Sequence, residues 1–530
     1  MDPAREEILT ELHRYNQEQL PTSAFSLYEL KMASLSIFFL VCAAVLLVIS
    51  YLRKLLSGST TKNFPPGPRG LPILGNLHQM GKQPSRTIRD MSKIYGPTVG
   101  LHLGSTPMVV LHDPATVRKV YNDENVTGRP QTQILNFFFK NRGIVMAEGQ
   151  LWKEHRRFAL STLRNLGMGK SWLEDAILDE VQEIIEQFRT REGAPFDARR
   201  HLTLAVSNVV CALVFGRRFD HNDKRFIRLC NMFADYMALV NSLLPVQAFP
   251  ILKDIPCLKY QKLFDEFMVS IKEIGGFTNE MIEEHKTKVP EAKNGMIKQD
   301  YITAYMEEKK KQDPNTTTFD DEQLMFSIVN LFTGGTESSA STLLWGMIHL
   351  ARFPDVQQKI HKEIDAVLGG EKRLVILSDR GQLRYTDAAL QDVQRLAAMA
   401  PLSLPHSNFE AMEIDGYNIP ARSFIHQNIF SLHYDEKYWA KPNELYPEHF
   451  LDENGDVMSP AAFMSLSVGK RSCLGEALAK METFLFFSNI VGSFRITGNK
   501  EELDRVTRNM TLGILNSPLP FDIQLIPRRW

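Results

Sequence analysis

The chain of 530 residues lacks net charge, a cysteine framework and a nucleotide-binding loop, and each absence removes a class of function. Sixty-one Lys and Arg stand against 62 Asp and Glu, a net charge of -1, so no surplus of positive charge favours a nucleic-acid partner. Any charge-driven docking must come from a local patch. The five cysteines, Cys42, Cys211, Cys230, Cys257 and Cys473, are odd in number and widely spaced, with no CxxC and no Cys/His cluster. That excludes a disulfide framework and a zinc site, and reduced thiols place the bulk of the chain on the cytosolic side. No GxGxxG or P-loop occurs in a credible context, so the chain has no nucleotide site of its own. Internal repeats and low-complexity tracts are also missing.

One long hydrophobic run is present. Residues 33–52, "ASLSIFFLVCAAVLLVISYL", are twenty residues without a charge. As a helix they would cover about 30 Å, the hydrocarbon thickness of a bilayer. Asp2, Glu6, Glu7, Glu11, Glu18 and Glu29 outnumber Arg5, Arg14 and Lys31 before it, whereas Arg53, Lys54 and Lys62 follow it. A cleaved signal peptide would begin with a basic region. The charge asymmetry predicts a single-pass anchor with residues 1–32 luminal and the rest cytosolic. The sequons at Asn125, Asn315 and Asn509 would then never meet luminal enzymes. "NFPPGPRGLPILGN" cannot continue a helix, so residues 53–76 read as a basic, proline-rich hinge before one domain at 77–530. In that domain "TVGLHLGSTPMVVLHD" predicts a β hairpin turning at Gly104-Ser105. Helical periodicity follows to about residue 397, as in "WLEDAILDEVQEIIEQF", with strand-like pieces near 400–430 and at the C-terminus. The fold class is mainly α with a small β lobe.

Three helical segments and one loop carry the chemistry. In "VNLFTGGTESSAS", Gly334 and Gly335 interrupt a core helix, at about 1 kcal/mol each relative to alanine. Either a close helix crossing or a flat group against the backbone accounts for them. Glu337 and Ser338 follow; mid-helix hydroxyls commonly bond the preceding turn, but an acid beside hydroxyls and glycines also suits a proton relay at a helix opening. In "WKEHRRF", Trp152 and Arg156 share a face, two donors suited to a carboxylate as well as to simple surface packing. Asp392 and Arg395 in "LQDVQRL" are spaced as a helix ion pair. The loop "FMSLSVGKRSCLGEALAK" ends at Cys473, where a helix begins.

In this order these pieces resemble the cytochrome P-450 superfamily of haem-thiolate monooxygenases, and its microsomal family 2 group in particular. Gly469, Arg471 and Gly475 around Cys473 carry the resemblance most specifically. It implies haem b with the Cys473 thiolate as axial ligand, supported by Lys470, Arg471 and the following helix N-terminus. It further implies that Trp152, Arg156, His406 and Arg471 hold the propionates, and that Gly334, Gly335, Gly469 and Gly475 let backbone approach the porphyrin. Glu337 and Ser338 would deliver protons to dioxygen, and Asp392 with Arg395 and the loop near His449 would brace the haem loop. Leu466 replaces the family's phenylalanine, Ser338 its threonine and Asp392 its glutamate. Asp392, shorter by a methylene, must still reach Arg395.

The resemblance places substrate recognition in 134–143, 239–250, the Leu331–Thr336 helix face, 401–405 and 512–518. Phe137, Phe138, Phe139, Leu331 and Leu404 there suit a lipophilic molecule, with polyunsaturated fatty acids ahead of steroids and foreign hydrophobes. Electrons would come from an NADPH-dependent flavoprotein reductase, with cytochrome b5 as a second donor. Docking would use Lys153, Arg157, Lys470 and Lys480, and the membrane would be the endoplasmic reticulum. The alternatives are a haem-thiolate isomerase of lipid peroxides and a degenerate haem- or lipid-binding paralogue. A cysteine hydrolase has little support, because no histidine neighbours Cys473.

Overall fold

The computed structural model describes residues 63–528, apart from 132–138, 168–170, 256–257, 288–291, 294–295, 298–299, 314 and 510–512, together with scattered positions between 32 and 49. Two compact units result, residues 1–62 with 71–73, and residues 63–70 with 74–530. In the first, the described positions from Met32 to Ile49 are helical. Phe38, Phe39, Val45, Leu46, Val48 and Ile49 are all exposed there. The remainder of the 33–52 run lies outside the described residues, and no helix among the described residues is long and apolar enough to cross a membrane.

The second unit opens with the proline-rich stretch lying against a strand rather than hanging free: the Gly100 N–H donates to the Pro66 carbonyl at 2.9 Å. α1 (Pro84–Tyr95) precedes the hairpin β1 (Thr98–Leu103) and β2 (Thr106–Leu111), which turns at Gly104 with φ +60°. α2 (Pro114–Tyr121) is capped by Asp113, whose carboxylate accepts the Ala115 and Thr116 N–H groups. The helical body comprises α3 (Gly149–Asn165), α4 (Ser171–Arg189), α5 (Arg199–Phe215), α6 (Lys224–Ser242), α7 (Tyr260–Thr287) and α8 (Tyr301–Lys311). It continues through α9 (Asp321–Arg352), α10 (Pro354–Leu368) and α11 (Arg384–Ala397). β3 (His406–Ser407), β4 (Met412–Ile414), β5 (Tyr417–Ile419) and β6 (Phe424–Gln427) form the strand-rich segment. α12 (Glu476–Ser493), β7 (Phe494–Thr497) and β8 (Gln524–Pro527) complete the series. One sheet has the order β1-β2-β6-β3, with β6 parallel to β2.

Two helices place the chemistry. α9 is 32 residues long, about 48 Å at 1.5 Å per residue. It starts at Asp320, whose side chain accepts the Gln323 N–H, with Asp321 and Glu322 in its first turn and His349 and Arg352 in its last, both matched to the helix dipole. It stops at Phe353, which is driven out of helical geometry by Pro354. α12 is apolar almost all round, and its residues Phe484 to Phe487 are buried. It packs against α4, α9 and α10. A helix hydrophobic on every side belongs inside the core, so the loop that ends at its N-terminus is held by a rigid support. On α4 the stripe of Ile177, Val181, Ile184, Ile185 and Phe188 is buried as its spacing predicts.

Candidate haem site

Three backbone hydrogen bonds shape the loop before α12. The Cys473 N–H donates to the Leu466 carbonyl at 3.0 Å, and the Ser472 N–H to Gly469 at 3.1 Å. The Lys470 N–H reaches the Tyr121 carbonyl at 3.2 Å. Gly469 has φ +78°, and a Cβ there would lie 2.2 Å from the Tyr121 oxygen. The end of α2 therefore requires a glycine here. At Gly475 an added Cβ meets nothing within 4 Å. Leu466, Phe463, Met464 and Lys480 line a cleft of about 200 Å³ behind the loop.

Cys473 is reached by solvent, yet burial holds its thiol above the ordinary value, with the Gly475 N–H and Arg156 acting in the opposite direction. A sulfur both accessible and deep looks into a recess. The cation beside it is Arg156, whose Nη2 donates to the Ser472 carbonyl at 2.6 Å. The expected support from Lys470 and Arg471 is absent, because both point elsewhere. Lys470 pairs with Glu124. Arg471 donates to the carbonyls of Thr127 at 2.9 Å, Val145 at 3.2 Å and Ala147 at 2.6 Å.

Around Arg471 lies an accumulation of buried positive charge. Its guanidinium covers the Trp152 ring at 4.0 Å, and the Trp152 Nε1–H is buried without a partner among the described residues. Arg129, which sequence reasoning missed, is buried beside it and donates to the carbonyls of Val145 at 2.9 Å and Pro405 at 2.8 Å. Among the described residues no carboxylate pairs with Arg129, Arg156 or Arg471; nearby Glu148 is committed to Arg422 at 3.0 Å. Burial, with Arg129 and Arg156, pushes Arg471 down to about 7, and burial pushes Arg129 down to about 10. A guanidinium does not release its proton in a protein, so these shifts express how strongly the place favours an anion. His406 donates from Nδ1 to the Val126 carbonyl at 3.0 Å, and burial, Arg129 and Arg471 hold it well below the usual imidazole range. The strap 143–147 that supplies several of these carbonyls is fixed by α9, since Asn330 Oδ1 accepts the N–H groups of Ile144 at 2.8 Å and Val145 at 3.0 Å.

Haem fits this set. An indole N–H without a partner and three guanidinium groups without acids among the described residues, two of them buried and Arg156 half-buried, match with the recessed cysteine a flat macrocycle with two carboxylates and an iron.

On α9 the glycine pair divides in two. A Cβ at Gly334 meets nothing within 4 Å, whereas at Gly335 it would lie 2.8 Å from Val210 Cγ2. Gly335 is thus required by the crossing with α5. The helix runs through this point without a break, so the predicted local opening is not seen. The Ser338 hydroxyl donates to the Gly334 carbonyl at 2.7 Å, and Ser517 donates to Glu337 Oε1 at 2.5 Å. Phe139 packs against Phe326 with ring centroids 6.3 Å apart. Leu331 and Leu404 are half-buried, and Phe137 and Phe138 lie outside the described residues.

Asp392 reaches every group it must. It holds Arg395 at 2.6 Å with both side chains fully buried, and accepts the Tyr446 N–H at 2.6 Å and the His449 Nδ1–H at 3.1 Å. His449 Nε2 accepts the Lys441 N–H at 3.1 Å. Arg395 further donates to the carbonyls of His433, Pro442 and Glu444, so all of its N–H groups are used. On the surface, Lys153 and Lys470 share Glu124 and Lys480 pairs with Glu476, which leaves Arg157 as the unpaired cation of that patch among the described residues.

The comparisons agree with this chemistry. The cytochrome P450 family model matches residues 65–525. Cytochrome P450 2J1 of Oryctolagus cuniculus is 37% identical over 474 residues, covering 88% of this chain and 92% of the relative. Cytochrome P450 2J5 of Mus musculus is 35% identical, covering 91% and 96%. Cytochrome P450 2B2 of Rattus norvegicus is 34% identical, covering 90% and 97%. The chain belongs to the cytochrome P450 family, as a monooxygenase whose haem takes the Cys473 thiolate as axial ligand.

Proposed function

We propose that the chain is a membrane-anchored enzyme that converts RH, O₂, two electrons and two protons into ROH, or the corresponding epoxide, and water. Polyunsaturated fatty acids stand first among its substrates, with steroids and foreign hydrophobes after them. The observation that carries this reading is the recessed Cys473 near the buried Arg129 and Arg471, with which no carboxylate pairs among the described residues.

Haem, when bound, supplies the activation of dioxygen, favoured by a thiolate ligand. The chain's own residues do the rest. Trp152, Arg156, His406 and Arg471, joined by Arg129, hold the propionates. Gly334 and Gly475 keep their faces open for the macrocycle. Ser338 Oγ and the Glu337 carboxylate hold and pass protons on the α9 side. Asp392 and Arg395 brace the segment leading to the cysteine loop. Phe139, Leu331 and Leu404, with Phe137 and Phe138, give an apolar pocket that excludes water and favours a lipid chain. An NADPH-dependent flavoprotein reductase, with cytochrome b5 as a second donor, delivers electrons at a surface where Arg157 is exposed and Lys153, Lys470 and Lys480 exchange their present carboxylates for the partner's. The 33–52 run anchors this body to the cytosolic face of the endoplasmic reticulum, with residues 1–32 luminal.

The test is turnover of linoleic acid by the full chain with haem, reductase and NADPH under isotopically labelled dioxygen. One labelled oxygen atom in the product is expected. Rearrangement of a lipid hydroperoxide without reductase, and no oxygenation with it, would replace this reading by the isomerase one.

A further inference from the structure

The acid of the α9 motif is held by a loop near the other end of the chain. Ser517 donates to Glu337 Oε1 at 2.5 Å, and the Ser341 hydroxyl lies 2.9 Å from Ser517 Oγ and 3.3 Å from Oε1. A serine has one hydroxyl proton, so the best arrangement is a chain, with Ser341 donating to Ser517 and Ser517 to Glu337. Meanwhile the Ser338 hydroxyl is spent on the Gly334 carbonyl. Acid and alcohol are one residue apart in sequence and have no hydrogen bond to each other among the described contacts.

Ser517 itself is rigidly placed. The Asn516 N–H donates to the Met399 carbonyl at 2.7 Å, and its Nδ2 to the Ala397 carbonyl at 2.6 Å. The Trp345 Nε1–H of α9 donates to the Asn516 carbonyl at 2.7 Å. Two residues earlier, the Ile514 N–H donates to Asn241 Oδ1 on α6 at 2.9 Å, and Gly513 is so close to Asn241 that a Cβ would lie 2.7 Å from its Nδ2. The loop thus joins α6, α9 and the end of α11 and presents a hydroxyl to the carboxylate.

We propose that Ser517 is a positioning residue that latches Glu337 away from Ser338, so that loss of the Ser517 hydroxyl frees the acid. This rests on the reading of Glu337 as a proton carrier. A latch of this kind suppresses reductant consumption when no substrate is present. Its strength is that of one short, charge-assisted hydrogen bond.

The experiment uses the full haem-loaded chain reconstituted with reductase, without substrate. Ser517→Ala should raise substrate-free NADPH oxidation about tenfold or more, the change expected when one charge-assisted hydrogen bond is lost. It should also shift the infrared carboxylate stretch that disappears in Glu337→Gln. Ser517→Thr, which keeps the hydroxyl, should restore both, and the reduced carbon monoxide spectrum should be the same in all variants. In the Glu337→Gln background, Ser517→Ala should add nothing. A Ser517→Ala protein that matches the parent in oxidation and infrared band overturns the latch, as does an equal rise in the Glu337→Gln background. If Glu337→Gln alone leaves coupling at the parental level, the proton-carrier reading fails first and the latch falls with it.

Discussion

Arg395 and Arg471 are both buried, and the protein treats them in opposite ways. Every N–H group of Arg395 meets an acceptor, and one of its partners is an aspartate. Arg471 meets only carbonyls, lies over an indole with an unsatisfied N–H, and has Arg129 and Arg156 for neighbours. A charge neutralised within the chain is architecture. A charge collected without its counterion is a binding site, because only an incoming anion offsets the cost of burying it.

The largest expected effect lies on the closed side of this comparison. Asp392→Ala should cost about 3–5 kcal/mol, since it strands a fully buried guanidinium. Denaturant unfolding of the apoprotein and the yield of haem-loaded protein check it. On the open side, Arg129→Met should weaken haem binding about tenfold or more, the loss of a charge-assisted contact, while apoprotein stability changes by less than about 1 kcal/mol. If both substitutions damage the apoprotein alike, the two sites do not differ as described.

A third buried group sharpens the contrast. Glu482 on α12 is fully buried with no cation beside it among the described residues, and burial pushes it up to about 8 while a hydrogen bond from Ser339 pulls it down. Unlike a guanidinium, a carboxyl escapes its predicament by taking a proton. Unfolded, it ionises in the ordinary glutamate range; folded, it stays neutral to higher pH. Its contribution to stability is therefore complete below the ordinary range and lost as pH rises through about 8. Glu482→Gln should remove that slope, so thermal unfolding of parent and variant should diverge increasingly from pH 5 to about pH 8. A constant difference would mean that Glu482 is already ionised in the fold. The smallest effect belongs to Asp392→Glu, within about 1.5 kcal/mol of the parent, because the added methylene enters a network that aspartate already completes.

The fold and the reactive centre were legible wherever chemistry follows local spacing. The glycines and cysteine of 469–475, the hydroxyl-rich turn of α9, the Asp392–Arg395 pair and the hairpin at Gly104 are all short-range patterns. What was not legible comes from contacts between distant segments. Arg129 in "VTGRP" has no periodicity to mark it, and its neighbour Arg471 is supplied by a loop far along the chain. Ser517 is one serine in an irregular tail until folding places it on Glu337. Gly335 and Gly469 were correctly singled out, but Val210 and Tyr121 explain them. Lys153, Lys470 and Lys480 read as a basic patch because sequence does not display the carboxylates that fold against them.

The contrast between the two arginine sites is tested most directly by comparing haem with its dimethyl ester, which keeps the iron and the macrocycle but removes both carboxylate charges. The apoprotein should bind haem at least about a hundredfold more tightly than the ester, as expected when two charge-assisted contacts are lost, and Arg129→Met should narrow the gap. Equal affinity for the two would contradict the account, because the buried guanidinium groups would then be serving something other than the propionates.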